Sequence, residues 1–242
     1  MNQKEYYRIA HEASLDNTHP AILEIKKFAT GSKRILDLGC GDGTRLGLLE
    51  TSAEKVGVDI SDYAINKAVK KYSGVEFLKA NIEKLPFEKE SFDLVYSMFV
   101  LEHVQNPEKV LKEAIRVLKK GGILILAAPN FGSPNRRSPN SKEGKISKLI
   151  KGLSVSDSIG LSWKQVEPRK GKYFIDADTV VEPNMISLIK YLRNLGLTIT
   201  QASSLWEIDE FSLKQLLFRI LSVLGVYPFI FWGPQIFVTA KK

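Results

Sequence analysis

The sequence predicts an α/β fold in which a doubly wound, mostly parallel sheet of seven strands carries helices on both faces. From Lys33 to Ala128, short apolar runs alternate with segments of helical periodicity, the pattern of successive βα units. The first apolar run ends in a glycine-rich bend, ILDLGCGDG, suited to turning a buried strand into a helix. With 242 residues, 44% of them hydrophobic, the chain is long enough for one large domain with insertions.

Two amphipathic helices are predicted before this pattern, over residues 3–13 and 20–29. Gly31 follows the second helix and suits its end, because glycine readily adopts the left-handed conformation found there. We interpret residues 1–31 as a helical lid. The lid side chains able to cover a ligand are Tyr6, Tyr7 and His11.

Five strands and three helices are predicted in the core segment, residues 33–130. The strands are placed at 34–38, 55–60, 75–80, 92–98 and 122–128, and the helices at 44–52, 62–72 and 107–119. Ser61 and Asn106 precede two of the helices as N-cap candidates. The run Lys119-Lys120-Gly121-Gly122 is typical of a helix end.

The regular alternation stops after Pro129, where Gly, Pro, Ser and Asn become frequent. We place an insertion at 131–178 and a second one at 204–233, and assign residues 1–242 to a single domain. The remaining predicted elements are a helix at 179–196 and strands at 197–203 and 235–240.

The bend after the first strand is the most informative motif. Gly39, Gly41 and Gly43 permit positive φ and close approach of a ligand to the backbone. Dinucleotide-binding folds use G-x-G-x-x-G at this place, but Thr44 stands where their third glycine belongs. Asp37 supplies a carboxylate that suits an ammonium group better than a pyrophosphate.

Two more polar positions follow predicted strands. Asp59 ends the second strand, where a carboxylate can accept hydrogen bonds from both hydroxyls of a ribose. Asn81 follows the third strand and can accept from an adenine amine, with Ile82 packed on the ring. Because parallel strands open into one crevice at their carboxyl ends, these residues predict an adenosine site.

The segments ILDLGCGDG, VGVDIS, KANIEKLPFEKESFDLVYSMFVLEHV and RVLKKGGILILAAPN together resemble the class I S-adenosylmethionine-dependent methyltransferases of the broad small-molecule type. The resemblance covers about residues 33–130. It implies a Rossmann-like sheet whose last strand is antiparallel. It also implies methyl transfer from S-adenosylmethionine, with S-adenosylhomocysteine as the product.

The resemblance also implies roles for individual residues. At the methionine end of the cofactor it places Asp37, Gly39, Gly41 and Gly43, with Met98 near them. It places Asp59 at the ribose and both Asn81 and Ile82 at the adenine. Cys40 and Ile60 complete the expected cofactor site. The family more often has an acidic residue where Asn81 stands. Asp42 replaces a smaller residue, and we expect it to face solvent.

His103, in FVLEHV, is the candidate general base, since a hydroxyl acceptor needs one. Ordering of the cofactor side of the pocket or of the following helix is the role we favour for this histidine, because the resembled family has LEH here whatever its acceptor. Asp176 and Asp178 follow the basic insertion, and we favour helix capping or solvation over catalysis for both.

The net charge of +8, from 35 basic and 27 acidic residues, is concentrated in one segment. Residues 131–172 hold 10 basic and 3 acidic side chains, or +7. This charge suits phosphate or carboxylate groups of an acceptor, and solvated loop charges are the equally simple explanation. The basic side chains concerned are Arg136, Arg137, Lys142, Lys145, Lys148, Lys151, Arg169, Lys170 and Lys172.

Residues 211–233 are unusually apolar for an insertion and rich in aromatic side chains. Three interpretations stay open: peripheral contact with a membrane, a wall around a lipid-like acceptor, or a hairpin packed on the sheet or on a dimer partner. The packed hairpin is the one we favour. The oligomeric state is left open by the sequence.

Composition limits the disulfides, metal sites and locations that are expected for this chain. One cysteine excludes an intrachain disulfide, and no Cys/His spacing suggests a metal. With no signal-like apolar stretch at the start, a cytoplasmic location is expected, with membrane-peripheral as the alternative. The predicted function is methylation of a small-molecule or lipid-linked, perhaps anionic, acceptor, with O-methylation favoured.

The alternatives are an RNA or protein methyltransferase, supported by the +7 segment, and a catalytically silent cofactor-binding or scaffold protein. Nucleic acid is disfavoured because no RNA-binding module and no Asn/Asp-Pro-Pro-aromatic motif occur in the sequence.

Overall fold

A computed structural model describes most of the chain. The described residues are 7, 8, 11, 12, 15, 19–138, 143–148, 160–168, 178–205, 213, 216, 217, 220, 221, 224, 226 and 229–242. They form two compact units, which share the long strand β5. The first comprises Met1–Val100, Asn106–Ile125 and Lys241–Lys242, and the second Leu101–Gln105 and Leu126–Ala240.

The first unit contains the glycine-rich bend. Its elements are α1 (Pro20–Ala29), β1 (Arg34–Leu38), α2 (Thr44–Gly47), β2 (Glu54–Asp59), α3 (Asp62–Lys71), β3 (Glu76–Lys79), β4 (Phe92–Met98), α4 (Pro107–Val117) and the start of β5 (Leu118–Pro129). Parallel pairing of β1 with both β2 and β4 places β1 at the centre of this unit. Its side chains Ile35 and Leu36 are fully buried, as are Leu94 and Val95 of β4.

The second unit contains the end of β5 and most of the C-terminal part of the chain. Its elements are a 3₁₀ turn (Leu101–His103), β6 (Lys164–Gln165), β7 (Val181–Glu182), α5 (Met185–Asn194), β8 (Thr198–Leu205), a second 3₁₀ turn (Phe229–Phe231) and β9 (Gln235–Lys241). The short strands β6 and β7 pair antiparallel as a separate ribbon.

The main sheet has seven strands in the order β3-β2-β1-β4-β5-β9-β8. Six are parallel, and the last one in the chain, β9, is antiparallel, which confirms the predicted Rossmann-like class. The strand order reverses beside β1, so the carboxyl end of β1 is the topological switch point at which such sheets bind ligands. Among the described residues, no helix is both long and apolar enough to cross a bilayer.

Local signals in the sequence located several elements correctly. The bounds of α1, β1 and β4 agree with the predicted 20–29, 34–38 and 92–98. Ser61 caps α3 by accepting from the Ala64 amide at 3.3 Å, and Asn106 caps α4 by accepting from the Lys109 amide at 3.2 Å. Both caps confirm the prediction.

The predicted helix at 44–52 is much shorter in the structure, ending at Gly47. The Tyr72 ring packs there so closely that a Cβ on Gly47 would lie 2.3 Å from it. This contact comes from the far end of α3, so the local periodicity did not reveal it.

Two other predicted boundaries were wrong. Residues 118–121 belong to β5 and not to a helix end, because the Gly121 amide donates to the Lys242 carbonyl at 2.7 Å and extends the strand. The predicted helix at 179–196 begins only at Met185, after Pro183, which disfavours a helical residue before it. Asn184 caps this helix, so Asp178 does not.

Candidate functional site

The glycine-rich bend after β1 leaves space beside Gly41 but not beside Gly39 or Gly43, where an added Cβ would lie 2.5 Å from Val100 and from Phe77. Gly39, Gly41 and Gly43 all have positive φ, at 77°, 56° and 75°. The amides of Gly39 and Cys40 donate to the Val58 carbonyl at 2.8 and 2.9 Å, which ties the bend to β2. A Cβ added to Gly41 would meet nothing nearer than the Tyr7 ring at 4.0 Å. A ligand can therefore approach the main chain at Gly41.

Gly39 cannot carry a side chain for two separate reasons. Its φ is strained for other residues, and an added Cβ would lie 2.5 and 2.7 Å from the methyl carbons of Val100. We expect Gly39→Ala to lower the free energy of unfolding by about 2 to 4 kcal/mol, measured by urea denaturation. Gly74→Ala is the matched control, because Gly74 has a φ of 79° and nothing within 4 Å. Equal losses in the two variants would contradict the role of Val100.

Asp59, at the end of β2, is buried and already accepts three hydrogen bonds. Its Oδ1 accepts from the Tyr7 hydroxyl at 3.1 Å and from the Ser61 amide at 2.9 Å. Its Oδ2 accepts from the Gly41 amide at 2.9 Å. A carboxylate has about four acceptor positions, so one remains and a second becomes available if the Tyr7 hydroxyl leaves.

Asp37, within β1, is buried beside Tyr96 and Arg45. Burial raises the pKa of Asp37 to about 7, while the Arg45 charge and a hydrogen bond from Tyr96 act in the opposite direction. The carboxylate is therefore costly to ionise without a further cation. An ammonium group, which the predicted ligand would bring, is such a cation.

The raised pKa of Asp37 predicts a stabilising substitution. In the unfolded chain an aspartate titrates near pH 3.9, so between that pH and about 7 Asp37 is protonated in the folded protein and ionised in the unfolded chain. The free energy of unfolding therefore falls as the pH rises through this window. We expect Asp37→Asn, whose amide oxygen can still accept from Tyr96, to raise the free energy of unfolding at pH 8 by about 2 kcal/mol, with a smaller gain at pH 5. Calorimetry at both pH values checks this, and a gain independent of pH would contradict it.

The predicted adenine end offers one exposed and one buried apolar side chain. Ile60, directly after Asp59, is 69% exposed, while Ile82 is buried. The Asn81 amide oxygen accepts from the Glu83 amide at 2.8 Å and keeps capacity for a second donor. Met98 is buried at the end of β4. Their cofactor roles stay predictions.

Cys40 lies in the bend as a buried thiol. Burial raises its pKa well above the usual range, and the Asp37 and Asp59 charges add to this. The thiol is thus protonated at neutral pH, which suits packing and not nucleophilic attack.

The expectation that Asp42 faces solvent was wrong. Asp42 is buried, and its Oδ1 accepts from the Thr44 hydroxyl at 2.8 Å. Its Oδ2 lies 2.8 Å from the His11 Nδ1. His11 comes from the N-terminal segment, 31 positions earlier, so the sequence around Asp42 gave no sign of this contact. The segment that carries Tyr7 and His11 thus contacts the glycine-rich bend directly.

His103, in the second unit, has a carboxylate near each ring nitrogen. Its Nδ1 lies 3.4 Å from the Asp178 carbonyl oxygen and 3.6 Å from an Asp178 carboxylate oxygen. Its Nε2 lies 3.8 Å from a carboxylate oxygen of the buried Glu102. Sequence analysis proposed solvation or capping for Asp178 and did not single out Glu102. Asp176 lies outside the described residues.

The basic insertion is not uniformly solvated. Lys148 is buried, and its Nζ donates to the Arg136 carbonyl at 2.7 Å. Burial lowers the pKa of Lys148, although Glu182 opposes this effect. Arg137 and Lys145 are exposed, as expected for solvated charges. Tyr6, Lys142, Lys151, Arg169, Lys170 and Lys172 lie outside the described residues.

Two residues around the bend, Arg45 and Tyr96, were not predicted from the sequence, and Thr44 was noted only as the residue in place of a third glycine. Tyr96 is fully buried in β4 and bonds Asp37. The Tyr96 hydroxyl next to the apolar residues Leu94 and Val95 was the available signal, because a buried hydroxyl needs a partner.

Known proteins resemble the chain in its core segment and in its fold. A family profile described as "Methyltransferase domain" matches residues 36–126. A probable S-adenosylmethionine-dependent methyltransferase of Mycolicibacterium smegmatis is 25% identical over 185 residues, 70% of this chain and 72% of the relative. The ubiquinone/menaquinone biosynthesis C-methyltransferase UbiE of Campylobacter jejuni is 35% identical over 101 residues, 38% of this chain and 43% of the relative. The match thus spans less than half of the Campylobacter protein.

One solved structure with the same fold is an S-adenosylmethionine-dependent methyltransferase from Mesorhizobium loti. It superposes with a TM-score of 0.59 and covers 93% of this chain and 99% of its own. At 19% sequence identity, the likeness concerns the fold.

Proposed function

We propose, from the premise that this chain belongs to the class I S-adenosylmethionine-dependent methyltransferases, that it methylates a hydroxyl group of a small or lipid-linked acceptor. The cofactor of the family is S-adenosylmethionine. The observation that carries the choice of acceptor is the pair of carboxylates that flanks His103.

The first unit has the groups needed to hold the cofactor. Asp37 offers a carboxylate to the ammonium group, Asp59 offers acceptor positions to the ribose hydroxyls, and Gly41 leaves the main chain accessible. Exposed Ile60 offers an apolar surface to the adenine ring. These assignments agree with the open space beside Gly41.

The bound cofactor supplies a methyl group on a positively charged sulfur, which leaves as the neutral thioether of S-adenosylhomocysteine. The protein must then align the acceptor, exclude water and, for a hydroxyl, remove a proton. No covalent intermediate with the enzyme is required.

His103 is the residue proposed to remove that proton. When its Nδ1–H donates to the Asp178 carbonyl, its Nε2 carries the lone pair that accepts the proton. Glu102 and the Asp178 carboxylate then stabilise the imidazolium that forms. The acceptor oxygen, once deprotonated, takes the methyl group, and His103 returns the proton to solvent.

An aromatic hydroxyl is one acceptor class that fits this arrangement, because its deprotonation activates both the oxygen and the neighbouring ring carbons. The C. jejuni relative is named a ubiquinone/menaquinone biosynthesis C-methyltransferase, so it supports a lipid-linked aromatic acceptor but has carbon, and not oxygen, as the methylated atom.

The decisive experiment supplies S-adenosylmethionine labelled in the methyl group to the purified protein with a fractionated cell extract. We expect the label in the organic-extractable, low-mass fraction. Label that becomes soluble only after ribonuclease or protease treatment would instead identify RNA or protein as the acceptor. Calorimetric titration with S-adenosylhomocysteine runs in parallel, and absence of binding would contradict the proposed function altogether.

A further inference from the structure

Tyr7 brings a side-chain donor from the N-terminal segment to the end of β2. Its side chain is buried, and its ring packs against that of Tyr63 with centroids 5.9 Å apart. Its hydroxyl donates to the Asp59 Oδ1 at 3.1 Å. Burial and the nearby Asp59 charge raise the pKa of Tyr7, while a hydrogen bond with the Ser61 side chain acts in the opposite direction. The hydroxyl therefore keeps its proton at neutral pH and acts as a donor.

The Asp59 carboxylate is close to saturated by the protein itself. Its Oδ1 accepts from both the Tyr7 hydroxyl and the Ser61 amide, which fills the two lone pairs of that oxygen. Its Oδ2 accepts from the Gly41 amide and has one position left. Both amides belong to the main chain, so Tyr7 is the partner that can leave by rotation of a side chain. While Tyr7 stays, Asp59 can accept one further donor but not two.

A ribose presents two neighbouring hydroxyl donors to such a carboxylate. One of them can take the open position on the Asp59 Oδ2, but a hydroxyl that donates to Oδ1 must replace that of Tyr7. The Tyr7 ring is also the nearest group to the open space at Gly41, 4.0 Å from the position of an added Cβ. The Tyr7 hydroxyl and one ribose hydroxyl therefore compete for the same carboxylate oxygen.

The segment that carries Tyr7 has a second attachment that does not involve Asp59. Four positions along the chain, the His11 Nδ1 lies 2.8 Å from an Asp42 carboxylate oxygen and 3.0 Å from the Thr44 hydroxyl oxygen. These contacts hold His11 on the glycine-rich bend whether or not Tyr7 stays on Asp59. Displacement of the Tyr7 hydroxyl therefore breaks one hydrogen bond and leaves the segment attached, so the hydroxyl stays near and can return.

We propose that Tyr7 competes with the cofactor ribose for Asp59, and that it thereby limits the affinity for the cofactor and promotes release of S-adenosylhomocysteine. This inference rests on the ribose assignment in the proposed function, and it is independent of the acceptor. Product release limits the turnover of many enzymes. A side chain that takes back the carboxylate as the product moves shortens the time for which the product occupies the site.

Calorimetric titration of the full chain with S-adenosylhomocysteine tests the competition. We expect Tyr7→Phe, which keeps the ring and removes the hydroxyl, to raise the affinity about 3- to 10-fold, because the ribose then gains a hydrogen bond without displacing one. Tyr63→Phe is the matched control, since it removes a hydroxyl from the ring packed on Tyr7 and leaves the bonds of Asp59 in place. The control should bind like the wild type.

A ligand without the ribose hydroxyls separates competition from a general effect of the tyrosine. The 2′,3′-dideoxy analogue of S-adenosylhomocysteine offers no ribose donor to Asp59, so Tyr7→Phe should leave the affinity for this analogue unchanged. An equal gain for both ligands would overturn the proposal, as would an unchanged affinity for S-adenosylhomocysteine. A lower affinity would also overturn it and would show that Tyr7 helps to hold the cofactor.

These outcomes are distinct from a failure of the proposed function. If S-adenosylhomocysteine binds the wild type and Tyr7→Phe equally, the competition is absent while the cofactor site stands. If it binds none of the proteins, the proposed function fails and the competition fails with it. Near-ultraviolet circular dichroism checks that each variant is folded. Tyr7→Met, which also lacks a donor, replaces a phenylalanine variant that does not fold and should show the same dependence on the ribose hydroxyls.

Discussion

Asp59→Ala is expected to lower the affinity for S-adenosylhomocysteine by about 10- to 100-fold in calorimetric titration, or roughly 1.4 to 3 kcal/mol. The alanine removes the acceptor proposed for the ribose hydroxyls. It also leaves the amides of Gly41 and Ser61 without their present partner, so the bend loses one of its ties to β2 and keeps those to the Val58 carbonyl. Both effects weaken the same ligand site.

Two companion variants separate these effects. Asp59→Asn keeps one acceptor oxygen for the backbone amides, so its affinity should lie between those of the wild type and the alanine variant. Asp62→Ala removes an exposed carboxylate that pairs with Lys79, and it should bind like the wild type. An Asp59→Ala protein with full affinity would remove the basis for the ribose assignment.

His103→Gln should reduce methyl incorporation by about 10² to 10⁴-fold with unchanged affinity for S-adenosylhomocysteine. Glutamine keeps a polar side chain of similar length but cannot take up a proton. The incorporation assay with labelled cofactor gives the rate, and titration gives the affinity. For His103→Ala, added imidazole should restore part of the rate, since it replaces the missing base.

Asp178→Asn tests the positioning role next to His103. Its backbone carbonyl remains, so the contact at 3.4 Å persists while the carboxylate at 3.6 Å is lost. We expect a loss of about tenfold in rate, because the carboxylate no longer helps to stabilise the imidazolium. If His103→Gln lost affinity and kept its rate, the histidine would order the site and not act as the base.

Local sequence signals located the parts of the fold that depend on neighbouring residues. The strands at 34–38 and 92–98 are mostly apolar and almost wholly buried, and Ser61 and Asn106 cap helices through amides three positions away. The three glycines of the bend have the positive φ that their spacing after β1 suggested. Each of these features is decided within a few residues along the chain.

Contacts from distant parts of the chain decided the rest. Tyr72 packs on Gly47 where α2 ends, and the Lys242 carbonyl extends β5. His11 helps to bury Asp42, and Asp178 reaches His103 across 75 positions.

The sequence by itself thus determined the class of fold, the glycine-rich bend, and the places of Asp37 and Asp59 at the ends of the first two strands. Periodicity and capping act over one or two turns of backbone, so local sequence is enough to predict them. Only the tertiary structure decided which carboxylates are buried and paired. Burial and pairing depend on side chains far apart in the chain, whose proximity no local pattern encodes.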